Sequence, residues 1–253
     1  MRGFLSILFM MLAATLSAEL VTANEYGVAC INSSAKRVVI AVPWTATDGD
    51  AIAISELVMT NGFAVGDEVY CWDVSKGKYS ACWRLDENGD WMSANVVSRE
   101  GITTDSPALG RDNALVVLRR SPTGPLYVGG QVANSAVTNE LLGDGAYNLV
   151  APPFARAVDI NRKDAVAFTD INPDDFIIFD VGGGKLLFCY WREGTWKYEK
   201  QSTSTLGGIT ITEKEWVQAP VIGGNGEDDV PLCTGFWYFS CGNGTKIEWK
   251  QRQ

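Results

Sequence analysis

The chain reads as all-β: two tandem, related antiparallel domains, each a small β-sandwich or barrel, behind a signal peptide. Three observations predict this. Short segments rich in Val, Ile, Tyr, Phe and Trp alternate in polarity and are separated by Gly, Asn, Asp and Pro, the pattern of strands and tight turns. Apart from a short candidate at Ile52 to Val58, no window carries a helical apolar stripe, so the long crossover helices that parallel strands need are not predicted. And one hairpin sentence occurs twice, as VYCWDVSKGKYSACWRL at 69–85 and FIIFDVGGGKLLFCYWREGTW at 176–196.

Aligning the two hairpins on Asp73 and Asp180 extends the match outward. AVPW (Ala41 to Trp44) falls with APPF (Ala151 to Phe154), GDEVY with PDDFI, and ENGDW with REGTW, so that Trp91 corresponds to Trp196. Landmarks repeated in one order predict a tandem duplication: 1–23 signal peptide, 24–140 first β-domain, 141–253 second β-domain. TNELLGDG, around Thr138 to Asp144, is the polar, Gly-containing stretch expected to link them.

The leader has Arg2, an apolar run from Phe4 to Leu16 and then small residues, with cleavage predicted after Ala23 or after Ala18. The run is shorter than the roughly 20 residues of a membrane span, so the predicted location is secreted, extracellular or cell envelope, with no membrane span. A net charge of −9 lacks the basic footprint that nucleic acid or an anionic surface requires. The sequence contains no histidine, which excludes Ser-His-Asp and Cys-His catalysis and the commonest metal ligand.

Folded about Lys76-Gly77, the first hairpin is expected to set Cys71 opposite Cys82, Trp72 opposite Ala81 and Tyr70 opposite Trp83. Alternation would then place Tyr70, Trp72, Val74, Tyr79 and Trp83 on a core face and Cys71, Asp73 and Cys82 on the other. A Cys71–Cys82 disulfide follows from that register, stabilising by on the order of 3 kcal/mol. In the second copy Ile177, Phe179 and Trp191 take the core face, with Cys189 inward. Cys233 and Cys241 flank an extended run too long to bridge, and Cys30 has no evident mate.

Motifs for chemistry are sparse. Asp86, Asn88 and Asp90 fit the start of a calcium loop, but Trp91 stands where Gly belongs and Val97 where Glu belongs, so a hairpin turn is expected. GNGEDD (Gly224 to Asp229) reads as a solvated loop. GGGK at Gly182 to Lys185 lacks the remainder of a phosphate-binding loop, and Ser33 to Lys36 lacks the companions of a Ser/Lys pair. No metal site and no cofactor motif emerges. Asn32 and Asn243 fit N-glycosylation patterns. Paired carboxylates leave a glycoside hydrolase open, although no spacing selects a pair. Among nine tryptophans, Trp91 and Trp196 sit just past turns and are the expected exposed pair, placed to stack on a polysaccharide.

The order VPW, GDxVYxWD, hairpin, W-R strand, NG turn before Trp, GxxxALVVLRR and closing YVGGQ resembles the tandem β-domains of secreted bacterial proteins of planctomycete and verrucomicrobial type. The resemblance implies a non-enzymatic protein of the surface or exterior and assigns no functional residue. The expected function is structural, adhesive or binding at the cell surface, the partner a polysaccharide or an envelope component. The alternatives are a carbohydrate-binding module and a carboxylate-based hydrolase.

Overall fold

The computed structural model describes residues 26–250, except 32–34, 46–50, 59–61, 97–100, 104–108, 112, 123, 133–135, 182–184 and 207–208. The expected leader, the Asn32 pattern, Ser33 and the three glycines of GGGK lie outside the described residues.

Alternating, β-rich sequence forms strands throughout. The first half holds β1 (Tyr26–Ile31), β2 (Arg37–Ala41), β3 (Trp44–Thr45), β4 (Glu68–Asp73), β5 (Lys78–Leu85), β6 (Trp91–Ala94), β7 (Gly101–Thr103), β8 (Ala114–Leu118) and β9 (Leu126–Val132). One helical turn, α1 (Ile54–Leu57), lies within the predicted Ile52 to Val58. The second half holds β10 (Val137–Glu140), β11 (Ala146–Val150), β12 (Val166–Thr169), β13 (Phe176–Asp180), β14 (Leu186–Arg192), β15 (Thr195–Leu206), β16 (Ile209–Gln218), β17 (Phe236–Ser240) and β18 (Lys246–Trp249).

The pairing order is the same in both halves. A six-stranded sheet runs β2-β8-β4-β5-β6-β7 in the first and β11-β17-β13-β14-β15-β16 in the second. A three-stranded sheet runs β1-β9-β3 and then β10-β18-β12. The strands pair antiparallel, and the sheets stay open rather than closing into barrels. In each half the small sheet packs on one face of the large one: Trp44 and Val128 share a core with Val69, Trp83 and Val117, and Ile247 and Trp249 share one with Ile177, Phe179 and Tyr238. Thr138 to Glu140, expected in the linker, lie in β10 and pair with β18.

Two buried aspartates give the halves a common reference point. Asp67 accepts from the amides of Ala64 and Arg120 at 2.9 and 2.7 Å. Asp175 accepts from those of Asn172 and Cys241 at 3.0 and 2.7 Å. Each ties the start of a central strand to the end of its neighbour, so Val69 is equivalent to Ile177, one residue away from the register expected from Asp73 and Asp180.

That slip has a local cause. In the first hairpin Val69 faces Trp83, Tyr70 faces Cys82, Cys71 faces Ala81 and, past a bulge after Cys71, Trp72 faces Tyr79. A 3-10 turn at Val74–Lys76 closes on Gly77, whose φ of 60° is left-handed and favours glycine. The one-residue shift exchanges the faces of the β4 side chains relative to those of β5. Trp83 joins Val69 and Cys71 inside, while Tyr70, Trp72 and Tyr79 gather in edge contacts on the opposite face. Cys71 and Cys82 therefore point to opposite faces, and the expected disulfide does not form. In the second hairpin Ile177 faces Cys189 and both are fully buried, as the alternation predicted.

The halves join along the outer faces of their large sheets. The Ala41 amide donates to Cys233 O at 2.8 Å and that of Gly235 to Val39 O at 3.3 Å. A Cβ on Gly235 would lie 2.8 Å from Val39 Cγ1, so glycine permits this approach. Trp72 and Trp237 meet edge to face at 5.0 Å, and Leu149, Ala151 and Cys233 enter the core of the first half.

Burial predicts an alkaline limit to stability. It pushes the Cys189 thiol up to about 12 and raises Cys233, Tyr70, Tyr198 and Tyr238 as well. A folded value above the unfolded one, near 8.5 for a thiol, means that this stabilisation is complete below the unfolded value and lost as pH rises through the folded one. The urea midpoint is expected to hold between about pH 7 and 8 and to fall progressively between about pH 9 and 12. A midpoint that stays level through that upper range would contradict the burial of these groups.

Candidate binding face

The outer face of the second large sheet carries an unbroken row of aromatic rings. In register, Tyr147 of β11 faces Phe239 of β17, which faces Phe176 of β13, which faces Tyr190 of β14. Successive ring centroids lie 4.8, 4.7 and 6.0 Å apart, and Trp216 of β16 continues the row 6.1 Å from Tyr190. The rings come from five of the six strands, with Lys197 of β15 standing beside Tyr190 in place of a ring. Tyr147, Phe188, Tyr190 and Trp216 are 49%, 40%, 37% and 41% exposed, far more than a sheet face with a packing partner would leave.

Polar groups border the rings. The Arg192 guanidinium lies 3.9 Å from the centroid of Trp216, a cation–π contact that steadies the indole. On the same face, Lys197 sits opposite both Tyr190 and Gln218, and Glu199 sits opposite Trp216. Lys197 pairs with Glu193, and Lys214 with Glu199 at 2.8 Å. Those lysines hold the two glutamates below the usual carboxylate range.

The shared strand order shows that folding does not demand this row. Counting from Asp67 and Asp175, the positions of Tyr147, Phe239, Phe176 and Tyr190 are filled in the first half by Arg37, Leu118, Glu68 and Arg84. There the same surface is built on an ion pair, Arg84 to Glu68 at 3.1 Å. One sheet topology thus forms with a polar row and again with an aromatic one.

The tryptophans expected at the surface lie elsewhere. Trp91 is 8% exposed and Trp196 fully buried, because both stand on β-strands with their rings on the inner face, opposite Leu85 and Trp191. They correspond, as the repeat predicted, but as core residues: the Trp91 indole donates to Val58 O at 3.3 Å, and Trp196 packs on Phe168, Trp191 and Tyr238. Neither presents a ring to a ligand. The exposed residues were visible in one signal, the alternation of LLFCYWR, where Leu186, Phe188 and Tyr190 point away from buried Cys189.

The acidic candidates serve their own loops. Asp86 accepts from the amides of Asn88 and Asp90 at 2.9 and 2.8 Å, and those turn hydrogen bonds, Asp90 first, hold its carboxyl below the ordinary range. Asp229 accepts from Val221 and Gly226, and Asp228 pairs with Lys200. Among the described residues no group of three His, Cys, Asp or Glu side chains is placed to hold a metal, and no helix is long and apolar enough to cross a membrane.

No known protein family, curated protein or solved structure matches the chain.

Proposed function

We propose that this is an exported, non-catalytic binding protein that holds a polysaccharide on the aromatic face of its C-terminal sheet. The observation that carries the reading is the substitution of Arg37, Leu118, Glu68 and Arg84 in the first half by Tyr147, Phe239, Phe176 and Tyr190 in the second, within one strand order. Exposed aromatic surface costs solvation and invites aggregation, so a row that the fold can build around an ion pair is aromatic for what it touches. Sugar rings offer apolar C–H faces with hydroxyls at the rim, and this surface offers rings beside Arg192, Lys197, Gln218 and two tyrosine hydroxyls. Export follows from the leader at 1–23, and the absence of histidine supports a role without acid–base catalysis.

The test is a fluorescence and calorimetric titration of the mature chain with soluble polysaccharides, with release of reducing ends followed in the same samples. Saturable binding without product is expected, lost in Tyr190→Ala/Trp216→Ala while the melting temperature stays within about 2 °C of wild type. Undiminished binding by the double variant would sink this assignment, and reducing-end release would replace it with the hydrolase.

A further inference from the structure

The β15–β16 hairpin is longer than its sheet. β15 and β16 pair continuously from Lys197 with Gln218 to Leu206 with Ile209, but β14 supports β15 only from Thr195 to Tyr198. From Glu199 onward the two strands form a free ribbon about 27 Å long, with residues 201–205 and 210–216 exposed. The first half ends the same position with two short strands, β6 and β7. An isolated two-stranded ribbon is marginal in water, so this extension is an addition to the duplicated fold, not a requirement of it.

Its two faces differ. Alternation from Lys197 puts Glu199, Gln201, Thr203 and Thr205 on the side of the aromatic row, with Trp216, Lys214, Thr212 and Thr210 opposite them. Thr203 faces Thr212 and Thr205 faces Thr210, a two-by-two array of hydroxyls continuous with Trp216. The charges on this side are an internal pair, Lys214 with Glu199. The other side carries Lys200, Glu213 and Glu215.

We infer that the outer face of this ribbon is a second contact surface for the same ligand, and that the ligand is an uncharged polysaccharide running from the aromatic row onto the threonine array. The inference rests on the reading of the aromatic face above. The neutral character follows from charge: the ribbon face offers hydroxyls, an amide and a self-compensated ion pair, and a net charge of −9 repels polyanions. Threonine hydroxyls donate and accept, which suits a chain of sugar hydroxyls, and a flat pleated surface lets successive residues meet successive rings and hydroxyls.

The experiment uses the mature chain and T203V/T205V/T210V/T212V, which removes the hydroxyls while keeping branched, strand-favouring side chains. The probes are malto- and cello-oligosaccharides of increasing length, hydroxyethylcellulose as the long neutral chain and alginate as the long anionic one. For wild type, affinity is expected to rise with chain length. The valine variant should bind long neutral chains about tenfold more weakly and the shortest binding oligomer unchanged, since hydrogen bonds are lost only beyond the aromatic row. A second variant, in which Asn-Gly joins Ser202 to Glu213, shortens the ribbon and should show the same length-selective loss. Wild-type affinity for long chains in both variants would overturn the ribbon contact and leave the aromatic reading intact. Tighter, salt-sensitive binding of alginate would overturn the uncharged assignment. Failure of every saccharide to bind wild type would remove the aromatic reading itself, and this inference with it.

Discussion

Replacing Trp196 by alanine is expected to destabilise the protein by about 3–5 kcal/mol, the range for deleting a large aromatic from a closed core. Its side chain is fully buried, and its ring meets Phe168 at 5.4 Å, Trp191 at 5.2 Å and Tyr238 at 5.7 Å. Its backbone is held as well, the amide donating to Asn161 Oδ1 at 2.6 Å and the carbonyl accepting from Asn161 Nδ2 at 3.1 Å. Alanine would therefore leave a cavity whose walls are fixed and collapse poorly. Trp196→Phe keeps most of the packing and removes a buried indole N–H that has no acceptor, so its loss should be clearly smaller. Trp216→Ala, at a residue 41% exposed, should lie within about 0.5 kcal/mol of wild type. Urea denaturation of the three variants checks the series. Equal losses for Trp196→Ala and Trp216→Ala would contradict the division into core and exposed face.

The second large effect is expected at Asp175. Its carboxylate is fully buried and accepts from Tyr238 Oη at 2.8 Å, Thr245 Oγ1 at 3.3 Å and the amides of Asn172 and Cys241. These four donors come from two loops and the central strand β17, so one side chain joins the start of β13 to the end of its neighbour. Asp175→Ala removes the acceptor of two amides and leaves the Tyr238 and Thr245 hydroxyls only each other and the Asp170 carbonyl, a loss on the order of 4 kcal/mol. Asp175→Asn restores one acceptor but turns an NH2 toward a donor, and should fall between. Asp67 does the equivalent task in the first half, where its carboxylate ties Ala64 to Arg120. Asp67→Ala is therefore expected to destabilise as well. A wild-type denaturation midpoint for Asp175→Ala would show that the loops hold without it.

The repeat was legible because its landmarks are core and turn residues, whose chemistry the fold constrains twice. The correspondence of Trp91 with Trp196 and the inward Cys189 read correctly from spacing and alternation, whereas the exposure expected of the two tryptophans did not. The aromatic row was legible only in part, through the alternation of LLFCYWR around Tyr190. Tyr147, Phe176, Tyr190, Trp216 and Phe239 are scattered along the chain and meet only through strand pairing. Aligning the copies on Asp73 and Asp180 hid the contrast further. That register sets Phe176 against Val69, an apolar pair without information, whereas the structural register sets it against Glu68. The bulge at Cys71 and the 3-10 turn before Gly77 account for the difference, and neither has a marker in a pattern of alternating apolar residues.

By itself, the amino-acid sequence determined the all-β class and the antiparallel character, because strand alternation and turn chemistry are local. Tertiary structure decided the rest: which tryptophans are core, that Cys71 and Cys82 point apart, and that one row of an outer face is aromatic where the corresponding row holds an ion pair. Those outcomes depend on register, and in a sheet a shift of one residue exchanges inside for outside.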